Sequence, residues 1–120
     1  MADQRTESLG KLVVLMDKLR SECPWDAKQT HTSLRPHLLE ETYEVLEALD
    51  YLDEETGKGT EHLKEELGDL LLHIVFHSRI AEDRGHFDLE DVANEITERL
   101  VRRHPHVFPT ENESEEETKD

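Results

Sequence analysis

Apolar positions recur at three- and four-residue spacing along most of the chain, and nowhere in strict alternation. The first such segment runs from about Ser8 to Arg20, with Leu9, Leu12, Val13, Met16 and Leu19 on one helical face. The stretch SECPWDAKQTHTS then breaks the period with Pro24 and several small polar residues, and reads as a loop. A second helix is expected from Ser33, as its N-cap, to about Leu52. Pro36 then falls in its first turn, where a missing N–H costs little.

The loop DEETGKGT precedes a third helix, from about Glu61 to Arg84, closed by Gly85. Its middle, LLLHIVF, is apolar nearly all round, with Leu71 and Ile74 on one side and Leu72 and Phe76 on the other. Such a helix must be covered on more than one side, so it is expected at the centre or against a second subunit. A fourth helix starts at Asp88, with Asp91 in capping-box spacing and Phe87 and Val92 as the staple. Leu89, Val92, Ile96 and Leu100 are its expected buried face, and Pro105 ends it. With no strand candidate and no internal repeat, the fold class expected is all-α, a four-helix bundle.

Composition refines this picture. A chain of 120 residues makes one domain, and its hydrophobic share of 34% buries only a modest core, which pairing with a second copy would enlarge. The net charge of -16 argues against a nucleic acid polymer as partner, because phosphate backbones select basic surfaces. Six acids and one lysine crowd residues 111–120, with no apolar residue among them. The expected division is a folded domain over 1–110 and an acidic disordered tail over 111–120. Cys23 is the only cysteine, so no internal disulfide can form. The polar opening MADQRTESLG lacks a signal-peptide core, and no apolar run nears the roughly 20 residues that span a bilayer. A cytoplasmic protein without a membrane partner is expected.

The candidate chemistry lies in the acids. On a helical wheel Leu34, Leu38, Val45, Leu49 and Leu52 form one arc of the second helix. Glu41 falls inside that arc, Glu44 at its edge and Glu40 just beyond. A lone carboxylate there would cost several kcal/mol or take up a proton. The third helix offers a matching pair, Glu66 and Asp69, one turn apart beside Leu63, Leu67, Leu70 and Ile74. Carboxylates meeting between helices repel one another, and a hard divalent cation such as Mg²⁺ removes that repulsion. Solvated acidic faces are the bland alternative, but the central place of Glu41 weighs against them. His73 and His77 lie on the side of Glu66. No Glu-x-x-His occurs, which argues against a di-iron bundle, so both are expected to be structural histidines with satisfied hydrogen bonds.

EETYE followed by ELGD resembles the EExxE…ExxD pattern of the all-α nucleoside triphosphate pyrophosphohydrolases, and CPWDAKQTH and RRHPHVF narrow the resemblance to the MazG family. It covers about residues 8–108. The resemblance implies a helical bundle that forms a dimer or higher homo-oligomer. It implies Mg²⁺-dependent hydrolysis of a nucleoside triphosphate to the monophosphate and pyrophosphate, with Mn²⁺ able to substitute, in nucleotide-pool house-cleaning. Carried onto this chain, Glu41, Glu44, Glu66 and Asp69 are the metal-binding catalytic acids, with Glu40 as a supporting acid. Many family members carry two tandem copies of the domain, and CPWD and RRHPHVF are typical of the amino-terminal copy.

A triphosphate also needs cations, and the candidates are Lys28, Arg99, Arg102 and Arg103. Trp25 either walls the nucleotide pocket or caps the bundle end, and Asp26 and Gln29 either orient the loop or read the base. Two other readings compete: a nucleotide-binding or dimerising domain with little catalysis, and a helical interaction module that binds a protein. The acid quartet has no use in the latter.

Overall fold

The computed structural model describes residues 3–109, and every regular element among them is helical. The acidic tail lies outside the described residues. Helix α1 spans Gln4–Glu22 and begins at Asp3, whose side chain accepts from the Arg5 N–H. Where a loop was expected, Pro24–Ala27 forms a single helical turn, α2, with the proline at its start. Proline's fixed φ suits that position, so the residue that breaks the apolar period also opens a new turn.

Helix α3 spans His31–Asp50 and is capped by Thr30, not by Ser33. Thr30 Oγ1 accepts from the Ser33 N–H and Ser33 Oγ accepts from the Thr30 N–H, so the expected cap residue is instead the reciprocal partner three positions on. Pro36 therefore lies inside the helix. It offers no N–H to the carbonyl of exposed Thr32, and the helix runs on.

Gly59 turns the chain into α4, Thr60–Asp83. Its φ is 96°, and a Cβ there would lie 3.3 Å from the Tyr51 carbonyl oxygen. Helix α4 ends before Gly85, as expected, and α5 spans Leu89–Arg103. The Asp88–Asp91 capping box at its start is present as the spacing predicts.

Helix α4 is central and packs against α1, α3 and α5. The core gathers Met16, Leu34, Val75, Phe76 and Ile80, with Leu12, Leu72 and Leu89 against it. Arg79 ties the outer ends of α1 and α4 through Asp17 and Asp83. The expected buried face of α5 is corrected: Leu89 alone touches this core, no α5 residue is buried, and Ile96 and Leu100 are 44% and 46% exposed. The reason is topological. Helix α5 packs against α4, and nothing in the described residues covers its other side. The arrangement is thus built around α4 and stays open along α5. Among the described residues no helix is long and apolar enough to cross a membrane.

Candidate active site

The core occupies the carboxy-terminal half of α4, which frees the amino-terminal half to carry polar groups. There Glu66 and Asp69 face α3, and Glu41 meets them from between Leu38 and Val45. Ligand oxygens of Glu41, Glu66 and Asp69 all lie within 4.8 Å of one another. Glu41 Oε2 and Glu66 Oε1 are buried with no hydrogen-bond donor to them among the described residues. Unpaired buried carboxylate oxygens are costly. The Glu41 carboxyl is accordingly pushed up to about 7, first by a hydrogen bond shared with Glu66, then by burial, then by the charges of Asp69, Glu66 and Glu44.

These observations test the fit of a metal. Three hard oxygen donors converge, two of them otherwise unsatisfied, which is the donor set that Mg²⁺ or Mn²⁺ takes. The fourth acid expected, Glu44, is half-buried and near enough to act on Glu41, but stands outside the convergent trio. Glu40 is exposed, also outside it.

The expected phosphate-binding cations are less gathered. Lys28 is exposed at the end of α2. Arg99 turns to Glu95, with Nη2 donating to Oε2 at 3.4 Å. Arg102 and Arg103 are exposed in the last turn of α5. Trp25 is half-exposed on α2 and meets His37 edge-on, with ring centroids 6.3 Å apart. Both line a cavity of about 170 Å³ with Asp26, His73, Leu72 and Phe76.

The histidines depart from expectation. His73 Nδ1 and His77 Nε2 are buried without a hydrogen-bond partner among the described residues. Burial, then the nearby His37, lowers the His73 pKa, and burial, then His31 and His73, lowers that of His77. His31 and His77 stack nearly parallel, with their Nδ1 atoms 2.8 Å apart, so one ring donates to the other. Sequence reasoning also passed over Arg20. Its Nη1 donates to the carbonyls of Asp26, Ala27 and Gln29, and its other nitrogens donate to Asp83 Oδ2. Buried Gln29 completes the brace by donating to the Trp25 carbonyl at 2.8 Å and accepting from Ser33 Oγ. The only signal in the sequence was an arginine in the last turn of a helix just before a proline.

Residues 29–108 match the family model of the MazG nucleotide pyrophosphohydrolase domain, a span that includes all three convergent acids. The chain belongs to the MazG family. A nucleoside triphosphate pyrophosphohydrolase/pyrophosphatase MazG of Thermotoga maritima is 54% identical over 100 residues, covering 82% of this chain and 37% of that protein. A nucleoside triphosphate pyrophosphohydrolase of Mycobacterium tuberculosis is 47% identical over 116 residues, covering 95% of this chain and 34% of that one. The chain therefore spans little more than a third of the length of these MazG relatives. A crystal structure of a mazG-related protein from Thermotoga maritima superposes with a TM-score of 0.70 at 27% identity, over 92% of this chain and 91% of the other. That likeness agrees with the helical fold described above.

Proposed function

We propose that this MazG domain hydrolyses nucleoside triphosphates to the monophosphate and pyrophosphate. The observation that carries the reading is the trio Glu41, Glu66 and Asp69, with its two buried and unpaired oxygens. The relatives named as pyrophosphohydrolases supply the reaction class. Glu41, Glu66 and Asp69 would hold Mg²⁺, or Mn²⁺ in its place, with Glu44 completing the shell and Glu40 supporting it from outside. When bound, the metal would neutralise triphosphate charge and lower the pKa of a coordinated water.

The chain's own residues then have separate duties. A carboxylate of the trio, in our reading Glu41, accepts the proton of the attacking water. The water oxygen bonds to the α-phosphorus, the bond from that phosphorus to the β-bridging oxygen breaks, and pyrophosphate leaves. Lys28, Arg99, Arg102 and Arg103 would meet the phosphate oxygens. The working form is a homodimer or higher oligomer, since Leu71 and Ile74 on α4 and the apolar side of α5 lie exposed in one copy. Clearance of unwanted nucleotides from the cytoplasmic pool is the role that fits.

Incubating the protein with Mg²⁺ and a panel of nucleoside triphosphates, then separating the products, tests the reading. Monophosphate and pyrophosphate are expected. A diphosphate with orthophosphate would overturn it, and tight binding with no turnover would favour a nucleotide-binding domain with little catalysis.

A further inference from the structure

Beyond the acid trio lies the cavity that Trp25 and Asp26 of α2 line together with α3 and α4. Its lining combines apolar side chains, among them Leu72 and Phe76, with the heteroaromatic rings of Trp25, His37 and His73. Its volume of about 170 Å³ is close to that of an engineered cavity of roughly 150 Å³ that binds benzene, so a flat ring fits. Two polar groups there have no partner. His73 Nδ1 is buried and unsatisfied, and the Asp26 carboxylate makes no hydrogen bond or ion pair among the described residues.

The position of the cavity relative to the acids is set by the helices. Helices α3 and α4 are joined by a short connection and pack along each other, which makes them antiparallel. His37 lies four residues before Glu41 on α3, and His73 four residues after Asp69 on α4. In an antiparallel pair both steps lead the same way, by roughly 6 Å. Asp69 is close enough to act on the His73 ring. A ribose is long enough to span that distance.

We propose that this cavity takes the nucleobase of the substrate and that Asp26 reads an amino group on its edge. The inference rests on the proposed hydrolysis of nucleoside triphosphates, and it names the bases preferred. An ionised Asp26 only accepts hydrogen bonds. Cytosine, adenine and guanine each present an exocyclic amino group, whereas uracil flanks its single N–H with two carbonyl oxygens that repel a carboxylate. Trp25 closes the ring from the solvent side, and His73 Nδ1 meets the other edge. Arg20 and Gln29 are positioning residues, because they brace the backbone that carries Trp25 and Asp26.

Cytidine and uridine triphosphates differ at this edge alone, so they make the test. The expected result is a kcat/KM for the cytidine nucleotide about tenfold or more above that for uridine, carried mostly by KM. Asp26→Asn should collapse that ratio, because an amide both donates and accepts. Trp25 is the only tryptophan, so metal-free titration with the two monophosphates reads the pocket by its fluorescence even if the variant does not fold. Quenching by cytidine monophosphate at lower concentration than by uridine monophosphate supports the proposal. Turnover of both triphosphates with equal KM, or equal quenching by both monophosphates, would overturn it while leaving the proposed hydrolysis standing. No turnover of any triphosphate would instead overturn the proposed hydrolysis.

Discussion

Glu41 on α3 and Glu66 on α4 face each other with one oxygen each buried and unpaired, and a hydrogen bond between their carboxyls is the largest force raising the Glu41 pKa. Without metal, two carboxylates so placed cannot both ionise cheaply, and one proton serves both. Glu41→Gln replaces that proton with a permanent amide. The variant should lose at least 100-fold in turnover, as expected when a group that moves a proton in the transition state is removed. Its metal-free melting temperature should equal or exceed that of the parent, because one member of a repelling pair is neutral. Near-parental turnover would take Glu41 out of the site.

The same shift gives the metal-free protein a pH dependence. The carboxyl titrates near its ordinary value of 4.5 in the unfolded chain and at about 7 when folded. Between those values the folded state keeps the proton and the unfolded state has lost it. This group's stabilising contribution is therefore full below about pH 4.5 and is lost as pH rises through about 7. Thermal melts in chelator from pH 5 to pH 8 should show a decline that Glu41→Gln flattens. Saturating Mg²⁺ should oppose it, since metal at about 100 times its dissociation constant adds roughly 2.7 kcal/mol to the folded state. Calorimetric titration should show proton release on Mg²⁺ binding at pH 6 and little at pH 8. Equal release at both would refute a shared proton.

How far the sequence reached depends on which forces are local. The acids at 41, 66 and 69 were legible because helical spacing fixes direction, and the arc of Leu34, Leu38 and Val45 placed Glu41 toward the interior. Glu44, expected as a fourth ligand, sits at the edge of that arc and stands outside the trio, a distinction of distance that a wheel does not draw. Thr30 as cap was not legible, since Thr30 and Ser33 are both good caps and only the reciprocal hydrogen bonds choose between them. That His73 Nδ1 and His77 Nε2 lack partners while His77 Nδ1 meets His31 depends on which groups α3 brings opposite α4, which no periodicity encodes. Nor does an apolar stripe say what covers it, which is why Ile96 and Leu100 were misplaced.

Arg20 links the carbonyls of Asp26 and Ala27 in α2 and of Gln29 just after it to Asp83 at the end of α4, with its side chain only 12% exposed. Removing it takes away the side-chain donor those carbonyls share and one of the two arginines that hold Asp83. Arg20→Ala should lower stability by about 2–3 kcal/mol. Arg20→Lys should recover little of it, since a point charge cannot span five bonds in two directions. The rise in Trp25 exposure should appear as a red-shifted emission in both variants. Parental emission and melting in Arg20→Ala would show that α2 holds its place without the brace.

The exposed side of α4 leads to the last prediction. Phe76 is buried and Leu72 packs on the core, so one flank of LLLHIVF is covered within the chain. Leu67, Leu71 and Ile74 on the other flank stay 48%, 39% and 44% exposed. Leu46 and Leu49 of α3 are about half-exposed as well. Apolar surface on this scale is uncommon on a monomer, and burying it contributes roughly 25 cal/mol per Å². A second copy presents the same surface, and a twofold arrangement matches it to itself. Light scattering at micromolar concentration should therefore report a dimer or larger. Ile74→Glu should place two like charges near the axis, shift the protein to monomer and lower its melting temperature, while its far-ultraviolet helix signal stays intact. A parent that is monomeric at that concentration, or an Ile74→Glu variant with unchanged mass, would show that this flank of α4 is not the surface by which copies meet.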